Sequence, residues 1–256
     1  MTQLLLARLD SHVALEESER KGILALPGPV RTIEGRGTRL TGKLVDNHVH
    51  VLEDGFACRY RALADGRRQI LSLLIPGDLI DLRQFVLGGH QPSVAALSPL
   101  SVRAVPNANL FRLLETSPRI TRALWSTTLV EESITCEWLV SIGKRSAIER
   151  VAHLLCELYL RLSAVGRSDG PRFALPLTQS ELADALGLST VHVNRTLQEL
   201  RKSRLIAFQS GLVELFDFDA LAKLALFSPA YLHLRERGGL DLRWELERVK
   251  GIEPSS

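Results

Sequence analysis

The chain has 256 residues, 45% of them apolar and 24% charged, with a formal net charge of +3. That balance supplies enough apolar surface for one large domain or two small ones and excludes disorder as the main state. No apolar run approaches the roughly 20 residues that a spanning helix needs, and so small a net charge means that a polyanion would have to be met by a local patch.

The opening segment carries a very short apolar run before Arg8 and Asp10. It lacks both a basic start and a cleavage pattern, so no signal peptide is expected. Cys58, Cys136 and Cys156 are odd in number and far apart. They suit a reducing cytoplasm and give no disulfide framework.

The texture changes near residue 117, from strands with turns to helices, which predicts an α+β chain or separate domains. Residues 15–26 read as a helix that stops at Pro27. Residues 47–52 alternate polar and apolar, and Asp54-Gly55 follows. Asp65-Gly66 and Pro76-Gly77-Asp78 bound the next apolar runs. Asp-Gly between alternating runs predicts hairpins. With strands at 93–97 and 100–105, the count comes to about eight over some 75 residues, which predicts a β-roll of the jelly-roll kind. A short helix over 107–115 closes the region.

Ser117 and Pro118 are N-cap and first-turn residues. From residue 119 to about 142 nothing breaks a helix, roughly 36 Å at ~1.5 Å per residue. Its apolar residues include Ile120, Leu124, Ile134, Trp138 and Ile142, with Thr127 and Glu131 interrupting the seam. A helix this long between two small domains is expected to pair with its own copy. The alternative is packing on its own β domain. A hinge at 143–146 precedes a second helix to about 163, and residues 166–171 read as a loop.

Residues 177–200 carry the functional signal. Thr178 is an N-cap, and Glu181 completes a capping box. Gly187 ends that helix in the left-handed conformation. Ser189 caps the next helix, whose Val193, Leu197 and Leu200 fall on one buried face. Two short helices around a glycine turn make a helix-turn-helix. At ~100° per residue, Val191, Arg195, Gln198 and Lys202 point outward, flanked by Thr190, His192 and Asn194. Arg195 suits a guanine, Val191 a thymine methyl, and Arg201, Lys202 and Arg204 suit phosphates. Residues 205–208 and 212–215 flank Gln209-Ser210-Gly211 as a wing, and Asp217 caps a closing helix. This predicts a DNA reader, with protein–protein contact as the alternative use of such a fold.

The whole arrangement, over about residues 10–225, resembles the Crp/Fnr superfamily of bacterial transcription regulators. The stretch 70–82 is similar to the family's segment after its main hairpin, 177–208 to its winged helix-turn-helix and 218–225 to its closing helix. The resemblance implies a homodimer joined through the 119–142 helix, bound to a palindromic DNA site near promoters, with contact to RNA polymerase. Arg195 falls on the family's guanine-reading arginine. Val191 stands where the family often has a glutamate, and valine cannot accept from cytosine N4. The half-site should therefore differ there, with a loosened or thymine-favouring preference.

Cyclic-AMP-binding members carry a Gly-Glu-Leu stretch shortly after Pro-Gly-Asp, then an Arg-Ser pair. Here the first region is Leu79-Ile80-Asp81-Leu82-Arg83 and the second is Gln91-Pro92-Ser93-Val94. A buried phosphate without a cation is costly, so cyclic nucleotide binding is not expected. No cysteine precedes Cys58, which argues against the family's iron–sulfur sensor.

Gly42, His48 and His50 match the start of a cupin metal motif, with Asp54 at the spacing of its acid and His90 as a distant further ligand. The plainer reading is two histidines on the polar face of a strand. The cysteines read as buried and structural, and Trp125 and Trp138 as packing anchors. No phosphate loop, nucleophile elbow or carboxylate pair stands out.

The sequence therefore predicts four segments. These are a β-roll sensor domain, cyclic-nucleotide-binding-like, over 1–117; a dimerisation helix over 118–143; a winged helix-turn-helix domain over 144–227; and an extension over 228–256. It predicts a cytoplasmic, non-enzymatic, sequence-specific regulator without cofactor, catalytic residue or metal. The predicted DNA-contacting residues are Ser189, Thr190, Val191, His192, Asn194, Arg195, Gln198, Arg201 and Lys202. A ligand-, metal- or haem-gated regulator and a cupin-like metalloenzyme are the alternatives.

Overall fold

The computed structural model describes residues 2–40, 44, 46–88 and 92–235. Gly42, His90, Gln91 and the helix expected around Trp244 lie outside them. Two short helices, α1 (Gln3–Asp10) and α2 (Glu17–Leu24), open the chain. The second begins on a capping box, with the Glu16 backbone N–H donating to Glu19 at 2.8 Å.

Six strands follow: β1 (Val30–Ile33), β2 (His48–Asp54), β3 (Ala57–Ala62), β4 (Arg68–Leu74), β5 (Ser93–Ala96) and β6 (Leu100–Pro106). They form two antiparallel three-stranded sheets, ordered β1-β6-β2 and β4-β3-β5. Leu52, Leu100 and Val102 of the first pack with Ala57, Leu74 and Ala96 of the second in one core. The two Asp-Gly turns therefore do different work. Asp65-Gly66 closes a β3–β4 hairpin. Asp54-Gly55 instead carries the chain from one sheet to the other. Gly55 has φ +82, and a Cβ there would lie 2.3 Å from the Pro99 carbonyl oxygen, so the turn is both left-handed and closely packed.

Helix α3 (Leu82–Leu87) lies between β4 and β5, and α4 (Asn107–Thr116) leads into α5 (Pro118–Lys144). The last has 27 residues and Pro118 in its first turn, about 40 Å of helix. Its apolar positions split into two faces. Ile120, Ala123, Leu124, Thr127, Val130, Ile134 and Trp138 are buried against the chain's own domains. The residues expected to form a seam between copies thus lie mostly on the intrachain side, and Thr127 continues that side. A second face leaves Trp125 69%, Leu129 61% and Leu139 68% exposed. Trp138 is a packing anchor, and Trp125 is not.

After the joint at Arg145-Ser146 come α6 (Ala147–Ala164), β7 (Ser168–Asp169), β8 (Arg172–Ala174), α7 (Gln179–Leu186), α8 (Thr190–Lys202), β9 (Ile206–Gln209), β10 (Leu212–Leu215), α9 (Phe218–Leu224) and a 3-10 turn, Pro229–Leu232. The segment that reads as a loop at 166–171 is a tight hairpin, and β8 joins the wing in a sheet ordered β7-β8-β10-β9. No described helix is long and apolar enough to cross a membrane.

The two halves share a core. Phe56, Cys58, Ile70 and Leu73 of the β domain belong to the same apolar cluster as Val130 and Ile134 of α5 and Leu154, Leu182 and Leu197 of the helical half. A buried chain of charges runs alongside it. Arg8 Nε lies 3.0 Å from Asp78, Asp78 lies 3.1 Å from Arg161, and Arg161 lies 3.1 Å from Glu157. Glu157 also accepts from Trp138 Nε1 and the Tyr231 hydroxyl, each at 3.0 Å. Two cations and two anions cancel there, which is the condition for burying charge at tolerable cost.

Candidate nucleic-acid interface

The reading unit is built by local capping. The Thr178 hydroxyl accepts from Glu181 N at 3.2 Å, and Glu181 Oε2 accepts from Thr178 N at 2.7 Å. This reciprocal pair fixes where α7 starts. Gly187 ends it at φ 63, ψ 39, a conformation that side chains with a Cβ adopt at a cost. Arg150 of α6 donates to Leu186 O at 3.1 Å and holds the turn. Ser189 then caps α8 by accepting from His192 N at 3.2 Å.

Helix α8 buries Val193, Thr196, Leu197 and Leu200. Thr190, Val191, His192, Arg195, Gln198, Arg201 and Lys202 are exposed, and Asn194 is half-buried. Val191 is 74% exposed. Arg195 stands one turn further on, its side chain making no hydrogen bond or ion pair among the described residues. All the predicted outward residues thus lie on one side of α8 or at its N-terminal end, but not all are equally free. Ser189 is committed to capping, and its hydroxyl meets His192 Nδ1 at 3.1 Å. Asn194 Nδ2 donates to Gln179 Oε1 at 3.1 Å and ties α8 to α7. Arg201 Nη2 donates to Phe208 O at 2.5 Å, so it braces the recognition helix against β9. The wing turns on Ser210 (φ 51) and Gly211 (φ 76), both left-handed as a two-residue hairpin requires.

Three arginines with structural roles at this unit escape sequence reading. Besides Arg150, Arg36 Nη1 meets Glu181 Oε2 at 2.6 Å and Arg68 Nε meets Asp184 Oδ2 at 2.6 Å. Both pairs cross from the β domain to α7, over sequence separations that no periodicity reports.

In the β domain, the stretch after Pro-Gly-Asp is closed by internal partners. Arg59 Nη2 donates to Leu79 O at 2.9 Å and to Ile80 O at 3.3 Å, and Arg59 Nη1 reaches Glu131 of α5 at 3.4 Å. His50 is not on a polar strand face. It is buried, with Nδ1 2.5 Å from Asp81 Oδ2, while Asp81 Oδ1 accepts the His50 N–H at 2.8 Å. His48 Nδ1 meets Asp46 O at 2.8 Å. No group of three or more metal-ligating side chains occurs among the described residues. Burial pushes the Cys58 thiol up to about 12 and raises that of Cys156 as well, which leaves them without thiolate character. Cys136 is exposed on α5.

A capped helix-turn-helix with a four-stranded wing, behind a long helix and a β-roll, defines a sequence-specific DNA-binding transcription regulator. Residues 149–224 match the family model of the Crp-like helix-turn-helix domain, and residues 41–117 match that of the cyclic nucleotide-binding domain. The nitrogen fixation regulation protein FixK of Bradyrhizobium diazoefficiens is 34% identical over 66% of this chain and 69% of its own length. The transcriptional activator protein FnrL of Cereibacter sphaeroides is 32% identical over 60% of this chain and 63% of its own. The solved structure of FixK2 from Bradyrhizobium japonicum superposes with a TM-score of 0.64 at 25% identity, covering 79% of this chain and all of that one. The chain belongs to the Crp/Fnr family, whose members are transcription regulators and not enzymes.

Proposed function

We propose that the protein acts in the cytoplasm as a homodimer joined along α5, each copy presenting α8 to one half of a palindromic site. The observation that carries the DNA reading is the outward face of α8, where exposed Arg195 and Val191 stand without internal partners near the helix N-terminus. That end is the one which enters the major groove in this motif. Arg195 reads guanine through a bidentate contact, and Val191 packs on a thymine methyl. Thr190, His192, Asn194 and Gln198 line the same groove, with Ser189 placing its start. Lys202 meets phosphate, and Arg201 does so with the donors that Phe208 leaves free.

The dimer is supported by the second face of α5. Arg122, Trp125, Leu129, Glu132, Cys136, Leu139 and Gly143 are spaced alternately by three and four residues, and all seven are exposed. That is the heptad spacing of a helix that pairs with a copy of itself. Residues 1–117 then serve as the sensor domain, with an effector other than cyclic AMP or none. FnrL is named an activator, which supports contact between the bound dimer and RNA polymerase.

The test is selection of DNA from a random library by the purified, ligand-free protein. A two-fold symmetric site is the expected result. Recovery of no symmetric site by a protein shown to be folded and dimeric would overturn ligand-free binding. Mild oxidation gives an independent check of the helix pairing: Cys136 should join two copies, since Cys58 and Cys156 are buried.

A further inference from the structure

The reading unit is docked on the β domain, and the docking is electrostatic as well as apolar. Helix α7 lies against β4, where Arg68 pairs with Asp184 at 2.6 Å and Gln69 Nε2 donates to Ala185 O at 3.2 Å. At the other end of α7, Arg36 pairs with Glu181 at 2.6 Å and donates to Pro176 O at 2.9 Å. The two carboxylates sit three residues apart on one helix and face two arginines from different parts of the β domain. Helix α8 follows α7 rigidly through Gly187, Arg150 and the Asn194–Gln179 bond. The pose of α8 is therefore fixed against the β sheet, beyond the covalent joint at Arg145-Ser146.

We infer that Arg36 and Arg68 set the spacing between half-sites that the dimer accepts. This rests on the dimeric reading above. In a two-fold complex the two recognition helices must match half-sites about 34–36 Å apart, one turn of 10–10.5 base pairs. Inserting one base pair shifts a half-site by about 3.4 Å and turns it by about 35°. A reading unit pinned by both pairs cannot follow that movement, whereas one released from them at α7, and held by the shared apolar core and the Arg161–Asp78 pair of α6, has the freedom to tilt. The β domain thus acts as a spacing gauge.

The experiment measures affinities of the full-length protein for its selected half-sites at the selected spacing and with one or two base pairs added or removed. The wild type should lose about tenfold or more in affinity on a one-base-pair insertion. The double variant Arg36→Asp, Arg68→Asp sets like charges against Glu181 and Asp184 and should lose less than about threefold. The exchange Arg68→Asp with Asp184→Arg re-forms that pair in reverse and should restore a steep profile, a rescue that general destabilisation would not give. Glu181 is left in place because it caps α7. If the double variant does not fold, Arg68→Asp alone should flatten the profile, since both partners of that pair are about a quarter exposed. A folded, dimeric variant as steep as the wild type overturns the inference. A wild type that is a folded monomer in solution overturns the dimeric reading, and the spacing gauge with it.

Discussion

Arg161 Nη2 of α6 lies 3.1 Å from Asp78 Oδ2 in the turn after β4, and both side chains are almost wholly buried. The same guanidinium nitrogen donates to Leu73 O at 3.0 Å. Asp78 also holds Arg8 and accepts the Ile75 N–H at 3.0 Å. One carboxylate therefore joins the N-terminal helix, the Pro-Gly-Asp turn and the first helix of the DNA-binding half. Removing one member leaves its partners charged, buried and unpaired. Arg161→Leu should destabilise the protein by about 3–5 kcal/mol, read as a lower urea midpoint at unchanged slope.

Stability should fall as the pH falls below 6.5. Burial, and after it the nearby Arg145 charge, lower the His153 imidazole to about 3. Its ring stacks on Tyr231 at 5.8 Å and meets the edge of Phe227. In the unfolded chain it takes up a proton near 6.5. Between those values the unfolded state binds more protons, so the stabilising contribution is complete above 6.5 and is lost progressively down to about 3. Burial and Arg8 lower His12 to about 4, with the same sign. His153→Phe removes one of the two contributions and keeps an aromatic ring. Between pH 7 and 5 the wild type should lose about 2 kcal/mol more stability than this variant, measured by urea unfolding at both pH values.

Base preference should move with two exposed side chains. Arg195→Ala should weaken binding by about 1–3 kcal/mol and relax the preference at one guanine. Val191→Glu introduces an acceptor for cytosine N4 at a position that valine leaves to methyl contact. Binding-site selection with each variant should show the consensus change at one position per half-site. Lys202→Ala, in contrast, should weaken all sequences alike and reduce the salt slope by about one.

The reading head was legible because its signals are local. A capping box, a serine N-cap, a left-handed glycine and apolar residues four and three apart lie within 25 or so residues, and each has one physical meaning. Helix α5 was legible in extent from Pro118 and the lack of breakers, but not in its faces. Ile120 and Trp138 look as suited to a partner copy as Trp125 and Leu139, and only the fold decides which side its own domains cover. Asp54-Gly55 carries the same hairpin signal as Asp65-Gly66, yet Pro99 packs against it from the connection between β5 and β6. Arg36, Arg59, Arg68 and Arg161 act over separations of 20 to 145 residues, where sequence periodicity carries no information.

Cyclic nucleotides should leave the protein unchanged. Arg59, a cation of the β domain, spends its donors on Leu79 O, Ile80 O and Glu131, beside the stretch where nucleotide-binding members carry their glutamate. Occupancy at a hundred times the dissociation constant would add about 2.7 kcal/mol of stability. Millimolar cyclic AMP or cyclic GMP should shift neither the melting temperature nor the DNA affinity. A rise in either would place an effector in the β-roll.

The exposed face of α5 yields the sharpest test of assembly. Leu129 and Leu139 are 61% and 68% exposed, so a charge at either costs the single chain little. In a pair of helices related by a two-fold axis, each occupies a seam position and meets its own copy. Leu129→Glu would then bring two carboxylates together in an apolar interface, where one must be protonated or the helices must part. Light scattering should report a folded monomer for this variant and a dimer for the wild type. DNA binding to a full palindrome should fall far more than binding to a half-site, because the loss lies in joining two reading helices and not in either one.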